Sequence, residues 1–247
     1  MGIEAFFRDL AATQGINVSV VYDAYDRQRF LQGLWTTAWL SLVSGALSLV
    51  IGLGGAAMLG ARSRLLCGAV RCYVEAFRNT PPLVQLLFFY FAIGGLLPTV
   101  RDAYGAQVPP VSNLGWAVVS FSLFAGAFNV EIFRSGLEAV PAATGEAAEA
   151  LGYTRAQALR HVGLPLALRV CLPGLGNNLV NLVKTTSLAY AIAVPELLYA
   201  AAQIWGEEMN VRETMNVLLL AYIVLIAVLV WALERWERAL RLPGYSP

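Results

Sequence analysis

The sequence predicts an all-α polytopic membrane protein with five membrane-crossing helices and one polar hairpin between them. Three observations carry that expectation. Of 247 residues, 58% are hydrophobic and only 13% charged, about half the charge of an ordinary soluble domain. The apolar residues gather into runs of the ~20 or more that cover ~30 Å of hydrocarbon. The arginines gather at every second loop, the asymmetry that marks the cytoplasmic side. With 17 Lys and Arg against 16 Asp and Glu, net charge names no partner, and nucleic acid is not expected as one.

Residues 1–29 read as an external N-terminal segment. Ile3, Phe6, Phe7 and Leu10 recur at i, i+3, i+4 and i+7, the stripe of a short amphipathic helix lying on a surface or on the first span. Residues 30–247 form the transmembrane domain. Its first span runs from Phe30 to Leu59, with Trp35 and Trp39 as interfacial anchors. Gly45, Gly52, Gly54, Gly55 and Gly60 give it small faces for close helix packing. Arg62, Arg64 and Arg71 mark its far end as cytoplasmic. The second span, about Leu65 to Leu97, contains Thr80-Pro81-Pro82, where two missing N–H donors should break the helix. Residues 98–113 fit an outer loop, Arg101 being balanced by Asp102. A third span covers about Leu114 to Leu137 and a fourth about Leu164 to Tyr190. Residues 191–212 form an outer segment, of which 191–205 could also dip back into the membrane. The last span covers about Glu213 to Leu233, and Arg235, Arg238 and Arg241 follow it. Five spans place the N-terminus outside and the C-terminus inside.

Residues 140–165 are the polar island between the third and fourth spans. Pro141 suits the start of a helix and Gly152 its end, which predicts a helix over 141–151. Thr154 and Gln157 have the spacing of a capping box. A second short helix is therefore expected from about Arg155 to Val162, ended by Gly163 and Pro165. Arg134, Arg155, Arg160 and Arg169 put this projection in the cytoplasm.

Polar residues inside the spans are few and clustered. Glu75, Arg78, Asn79, Thr80 and Gln85 lie in the second span, Asn129, Glu131 and Arg134 in the third. In the fourth, Asn177, Asn181 and Lys184 share one helical face, with Asn178 and Thr185 beside it. Such residues are costly in hydrocarbon, so they pair or line a cavity. Glu75 with Arg78 and Glu131 with Arg134 have the i, i+3 spacing of structural ion pairs. Arg78, Asn79, Thr80 and Gln85 around the break, and Asn178, Asn181, Thr185 and Thr186, are the candidate substrate path. A broken helix offers backbone N–H groups and a positive dipole end to a substrate carboxylate. Arg78 can add a bidentate contact.

Glu146, Ala147, Ala148, Gly152, Val162, Leu164 and Pro165 match the E-A-A-x3-G-x9-[I/V]-x-L-P loop and resemble that of ATP-binding-cassette importer permeases. Val74–Phe91, Val130–Leu137 and Gly176–Leu188 resemble segments of the polar amino-acid uptake permeases, those for histidine, arginine, glutamine and glutamate. The likeness runs from about Phe30 to the C-terminus. It implies a type I importer permease fold, like that of the methionine importer, in the cytoplasmic (inner) membrane. It further implies that residues 140–165 form the coupling helix gripped by an ATPase subunit, with Glu146, Ala147, Ala148, Gly152, Leu164 and Pro165 as coupling residues. The implied complex has two permease subunits, two ATPases holding ATP and magnesium, and an extracytoplasmic substrate-binding protein. Members often carry K-D-[ST]-S-L and G-N-E, where this chain has Thr185 and Asn178. That difference implies a neutral or acidic amino acid rather than a strongly cationic one.

Other readings are weaker. A phosphate loop is absent, since the only lysine, Lys184, follows Val183 and lacks a glycine cradle. Energy from ATP would come from another subunit, and no cofactor is expected in this chain. Cys67, Cys72 and Cys171 sit in or beside apolar segments with a single His in the chain, so no metal site is expected. Ser187 has no His partner, and catalytic residues are not expected. A secondary transporter or channel acting alone could relay protons through Glu75 and Glu131. A membrane-tethered helix-turn-helix regulator is less expected, because the arginines of the hairpin are offset by Glu146 and Glu149.

Overall fold

The computed structural model describes residues 2–61, 63–101 and 104–240. Arg62, Asp102 and Arg241, which enter the charge pattern above, lie outside the described residues. Helices α1 (Ile3–Gln14) and α2 (Ser19–Tyr22) precede α3 (Ala24–Leu59), which starts six residues before the expected boundary. The expected second span is two pieces, α4 (Arg64–Arg78) and α5 (Pro82–Leu87), the latter continuing through a wide and then a tight turn to Leu96. A small antiparallel ribbon, β1 (Val100–Arg101) with β2 (Gln107–Val108), fills the next loop. Then come α6 (Asn113–Glu138), α7 (Ala142–Ala150), α8 (Arg155–Ala158), α9 (Leu164–Thr185), α10 (Leu197–Glu208) and α11 (Val211–Leu240).

Four helices among the described residues are long and apolar enough to cross a membrane: α3, α6, α11 and the continuous helix Arg155–Ile192. The fifth expected span does not qualify, because Pro81 and Pro82 split it. Its apolar part, Pro82–Leu96, is only about 22 Å long at 1.5 Å per residue, short of the ~30 Å hydrocarbon core. The hairpin also differs from expectation at its far end. Instead of stopping at Gly163, the helix widens into a π turn over Leu159–Gly163 and runs on into α9. Pro165 lacks the N–H for the regular ladder, and a π turn is one way a helix absorbs such a fault.

The chain packs into two compact units, whose boundaries fall inside α3, α6, α9 and α11. The first holds Met1–Val43, Pro82–Ser120 and Val183–Ala227. Its core is Phe30, Leu197, Ala201, Ile204 and Leu218, an apolar stripe of α10 pressed on α3 and α11. Gly33 makes that approach possible, since a Cβ there would stand 2.7 Å from the Ala200 Cβ. At the start of α10 the fully buried Glu196 accepts from the Leu198 and Tyr199 N–H groups, both at 2.8 Å. The Tyr222 hydroxyl donates to the same carboxylate at 3.2 Å, and Thr37 Oγ1 accepts from the Leu197 N–H at 3.0 Å. One buried polar knot thus joins three helices, α3, α10 and α11. The N-terminal segment is tied into this unit as well: Asn210 donates to the Asn17 carbonyl at 3.0 Å, and Arg27 pairs with Glu4 at 2.7 Å.

The second unit holds Ser44–Pro81, Phe121–Leu182 and Val228–Pro247. Here the small residues of α3 meet α6: a Cβ on Gly52 would overlap Asn129, and one on Gly55 would stand 2.5 Å from Val130 Cγ2. Gly136 lets α6 approach Cys171 of α9 in the same way. Val70 and Val74 of α4 pack on Val130, and the Tyr73 hydroxyl donates to the Leu123 carbonyl at 2.6 Å.

Candidate coupling hairpin and substrate path

In the second unit, residues 140–165 fold as the turn chemistry requires. Pro141 is the residue just before α7, and Gly152, with φ at +91°, makes the left-handed turn after it. A side chain is strained at that angle, so glycine is the residue that fits. The turn is closed by the Gly152 N–H on the Glu149 carbonyl at 2.9 Å and the Tyr153 N–H on the Ala148 carbonyl at 3.1 Å. The capping box is complete: the Thr154 N–H donates to Gln157 Oε1 at 2.9 Å and the Gln157 N–H to Thr154 Oγ1 at 3.4 Å. Arg155 meets Glu149 across the turn at 3.4 Å, an exposed pair worth little.

The expected coupling residues divide by role. Ala148 is buried inside the hairpin, Glu146, Ala147 and Gly152 are exposed, and Leu164 and Pro165 are half-buried where the hairpin enters α9. The sequence reading missed the apolar tip. Leu151 is 81% exposed, and Leu159 and Tyr153 are exposed beside it. These three large side chains stand out of an otherwise polar hairpin. Their position on either side of the Gly152 turn was the available signal.

The helix break is where the two prolines demand it. α4 ends at Arg78, and the Asn79 N–H reaches back to the Glu75 carbonyl at 3.1 Å. Arg78, Asn79 and Thr80 are exposed, whereas Gln85, which belongs to the first unit, is buried. Thr80 Oγ1 donates to the Ala76 carbonyl at 2.7 Å. Among the described residues Glu75 and Arg78 form no ion pair. Arg78 instead carries its guanidinium over the Phe128 ring, 5.4 Å from the centroid. Arg134 does pair with Glu131 at 2.8 Å, and also with Glu138 at 2.6 Å.

Along α9, Asn177, Asn181 and Lys184 are all exposed, the single face their spacing implies. Asn178 is turned inward. Its amide donates to the Ala125 carbonyl at 2.9 Å and to Asn129 Oδ1 at 2.8 Å, and Asn129 in turn donates to Ser48 Oγ at 2.9 Å. This chain of amides ties α9, α6 and α3, which is work inside the packing rather than in an open path. Thr185 and Thr186, in the first unit, are buried too, and Thr186 Oγ1 donates back to the Val183 carbonyl at 2.7 Å. Of the residues expected on the path, the break residues Arg78, Asn79 and Thr80 and the α9 residue Asn181 are therefore the exposed ones, all within the second unit. Among the described residues no group of three or more His, Cys, Asp or Glu could hold a metal ion.

A family model described as the binding-protein-dependent transport system inner membrane component matches residues 24–242. The chain is similar to the octopine transport system permease protein of Rhizobium radiobacter, 35% identical over 220 residues that cover 86% of this chain and 89% of the relative. It is similar to the glutamine transport system permease protein of Escherichia coli K12, 33% identical over 86% of this chain and 93% of the relative. Among solved structures, an amino acid ABC transporter with histidines aligns at a TM-score of 0.78 and 26% identity, covering 90% of this chain and 99% of that one. The inward-facing MetNI methionine ABC transporter aligns at 0.69 and 22% identity over 89% of this chain and 100% of that one, a likeness of fold.

Proposed function

The chain belongs to the family of binding-protein-dependent transport system inner membrane components, and from that membership we propose that it is the permease subunit of an ATP-driven importer of a polar amino acid. The observation that carries the reading is the hairpin. Its sequence fixes a rigid two-helix projection, and its tip presents Leu151, Tyr153 and Leu159 to a partner. The partner is an ATPase subunit holding ATP and magnesium, and an extracytoplasmic binding protein delivers the amino acid at the other side of the inner membrane. A second permease subunit, identical or related, completes the conduit. In this reading the N-terminus and residues 1–29 lie outside, and the hairpin and C-terminus lie in the cytoplasm, in keeping with Arg155, Arg160, Arg169, Arg235 and Arg238.

Closure of the ATPase pair pushes on the hairpin. Because the hairpin's second arm continues as helix into α9, a push at Arg155 is passed to α9, with Pro173 as its internal point of flexure. Only contacts that differ between the inward and outward states can drive the exchange. The substrate carboxylate is met by Arg78, with Asn79, Thr80 and Asn181 along its way. Asn178 stands behind that path and holds its wall. Gln85, Thr185 and Thr186 are the first unit's buried polar share. Relatives are named for octopine, glutamate/aspartate, glutamine and histidine/lysine/arginine/ornithine transport, so their names leave the charge of the substrate open; the reading of a neutral or acidic amino acid rests on Asn178 and Thr185 standing where members of the family often carry carboxylates.

Gly152→Asp tests the coupling role. The variant places a side chain at φ +91°, where it costs about 1–2 kcal/mol, enough to distort the turn but not to unfold the bundle. Uptake is expected to fall at least tenfold at unchanged membrane level, while the wild-type chain co-purifies with a vanadate-sensitive ATPase. Normal uptake by the variant at normal level refutes the assignment.

A further inference from the structure

α4 is divided sharply along its length. One side, Val70, Val74, Tyr73 and Phe77, is turned into the second unit. On another side Arg64, Arg71, Glu75 and Arg78 are all exposed. At 3.6 residues per turn these four fall within roughly 60° of arc, so they form one charged stripe. From Arg64 to Arg78 the stripe rises about 21 Å.

Its depth follows from two contacts. Tyr73 bonds the Leu123 carbonyl and Arg78 lies over the Phe128 ring, and those residues straddle the middle of α6, a helix of 26 residues that crosses the membrane. The stripe starts beside the end of α3, where the Cys67 thiol donates to the Met58, Leu59 and Ala61 carbonyls, and its Glu75–Arg78 end therefore lies level with the middle of α6. A long side chain near the end, such as Arg64, can snorkel to headgroups, but Glu75 and Arg78 are too deep. Charges left in hydrocarbon at that depth are costly. Among the described residues none of the three arginines pairs with Glu75 or another carboxylate. Facing water rather than lipid, such a stripe is tolerable.

We propose that the exposed stripe Arg64, Arg71, Glu75 and Arg78 lines a water-filled inner vestibule, whose net positive wall leads the substrate carboxylate from the helix break toward the cytoplasm. This rests on the permease reading above and extends it: the break is the entry to a cationic exit ramp, which favours acidic and zwitterionic amino acids over cationic ones.

The test uses the assembled transporter in inside-out membrane vesicles, with Glu75→Cys on the stripe and Ala76→Cys one residue on, about 100° round the helix. Each is treated with an anionic and with a cationic methanethiosulfonate. Trypsin cutting after Arg71 and Arg78 releases residues 72–78 as one peptide, in which fragmentation distinguishes the new cysteine from the native Cys72. Glu75→Cys is expected to react at least tenfold faster than Ala76→Cys, and severalfold faster with the anionic reagent than with the cationic one. Equal or absent reaction at the two positions overturns the vestibule. Faster reaction with the cationic reagent overturns the carboxylate ramp. Vanadate-sensitive ATPase activity of the same vesicles reports on the permease reading separately: activity present with an unreactive thiol in Glu75→Cys rejects the stripe alone, and a reactive thiol in that variant without activity rejects the transporter alone.

Discussion

Glu196 shows what a single polar residue can do inside an apolar bundle. Its carboxylate is fully buried, has no basic partner among the described residues, and is held instead by two N–H groups of α10 and the Tyr222 hydroxyl. Loss of a helix N-cap costs about 1 kcal/mol, and a buried hydroxyl left without its acceptor costs about 1–3 kcal/mol. Glu196→Ala should therefore lower stability by about 2–4 kcal/mol and depress the thermal unfolding midpoint in detergent, with Glu196→Gln milder because one acceptor oxygen survives. An unchanged midpoint for the alanine variant would remove the knot from the account of the fold. Glu196 was visible in the sequence only as an acid after Pro195 in an outer segment. Its N-cap position before Leu197-Leu198-Tyr199 was the missed clue. Asn178 was legible as a polar residue in a span but not as an inward one, since Asn177, Asn178 and Asn181 carry the same chemistry and only packing decides which faces Asn129. The small energies of such ties, about 0.6 kcal/mol on average in membranes, explain why composition alone does not reveal them.

The elements follow local chemistry wherever that chemistry is strong. The Gly152 turn, the Thr154–Gln157 capping box and the break at Pro81-Pro82 were readable because each rests on a residue with few alternatives. Pro165 has the local chemistry of a stop and is instead absorbed by a π turn, because the long apolar stretch after it has more to gain by continuing as one helix than a lone proline can take away. The glycines of α3 are an instructive mixture. Gly52 and Gly55 face α6 at distances that leave no room for a Cβ, whereas nothing lies within 4 Å of a Cβ on Gly54. Gly55→Ala should destabilise the chain by about 1–3 kcal/mol through overpacking against Val130. Gly54→Ala should be neutral or stabilise it by up to about 1 kcal/mol through helix propensity. Unfolding of the two variants side by side checks this, and equal effects would mean that the close approach of α3 and α6 is not what the glycines serve. The sequence showed that the helix had small faces but not which of its glycines formed them, since spacing does not say where the neighbour lies.

At the scale of the molecule, composition and the loop arginines indicated an all-helical membrane protein, and the matched family agrees. The count of spans was harder, because a hydropathy run does not show that Pro82–Leu96 is cut off from α4. Substrate choice is the property the whole assembly decides. The exposed cationic stripe on α4 favours a substrate whose carboxylate is not offset by a net positive charge. In vesicles with the binding protein present, excess glutamine or glutamate should compete for uptake at least tenfold more effectively than arginine or lysine. Selective arginine or lysine uptake, with glutamine and glutamate ignored, would reverse the substrate assignment. The π turn at Leu159–Gly163 carries one more consequence. Since the second arm of the hairpin runs on as helix into α9, the joint at Pro165 is no loose tether, and the proline inside α9, Pro173, becomes the place where that length of helix yields.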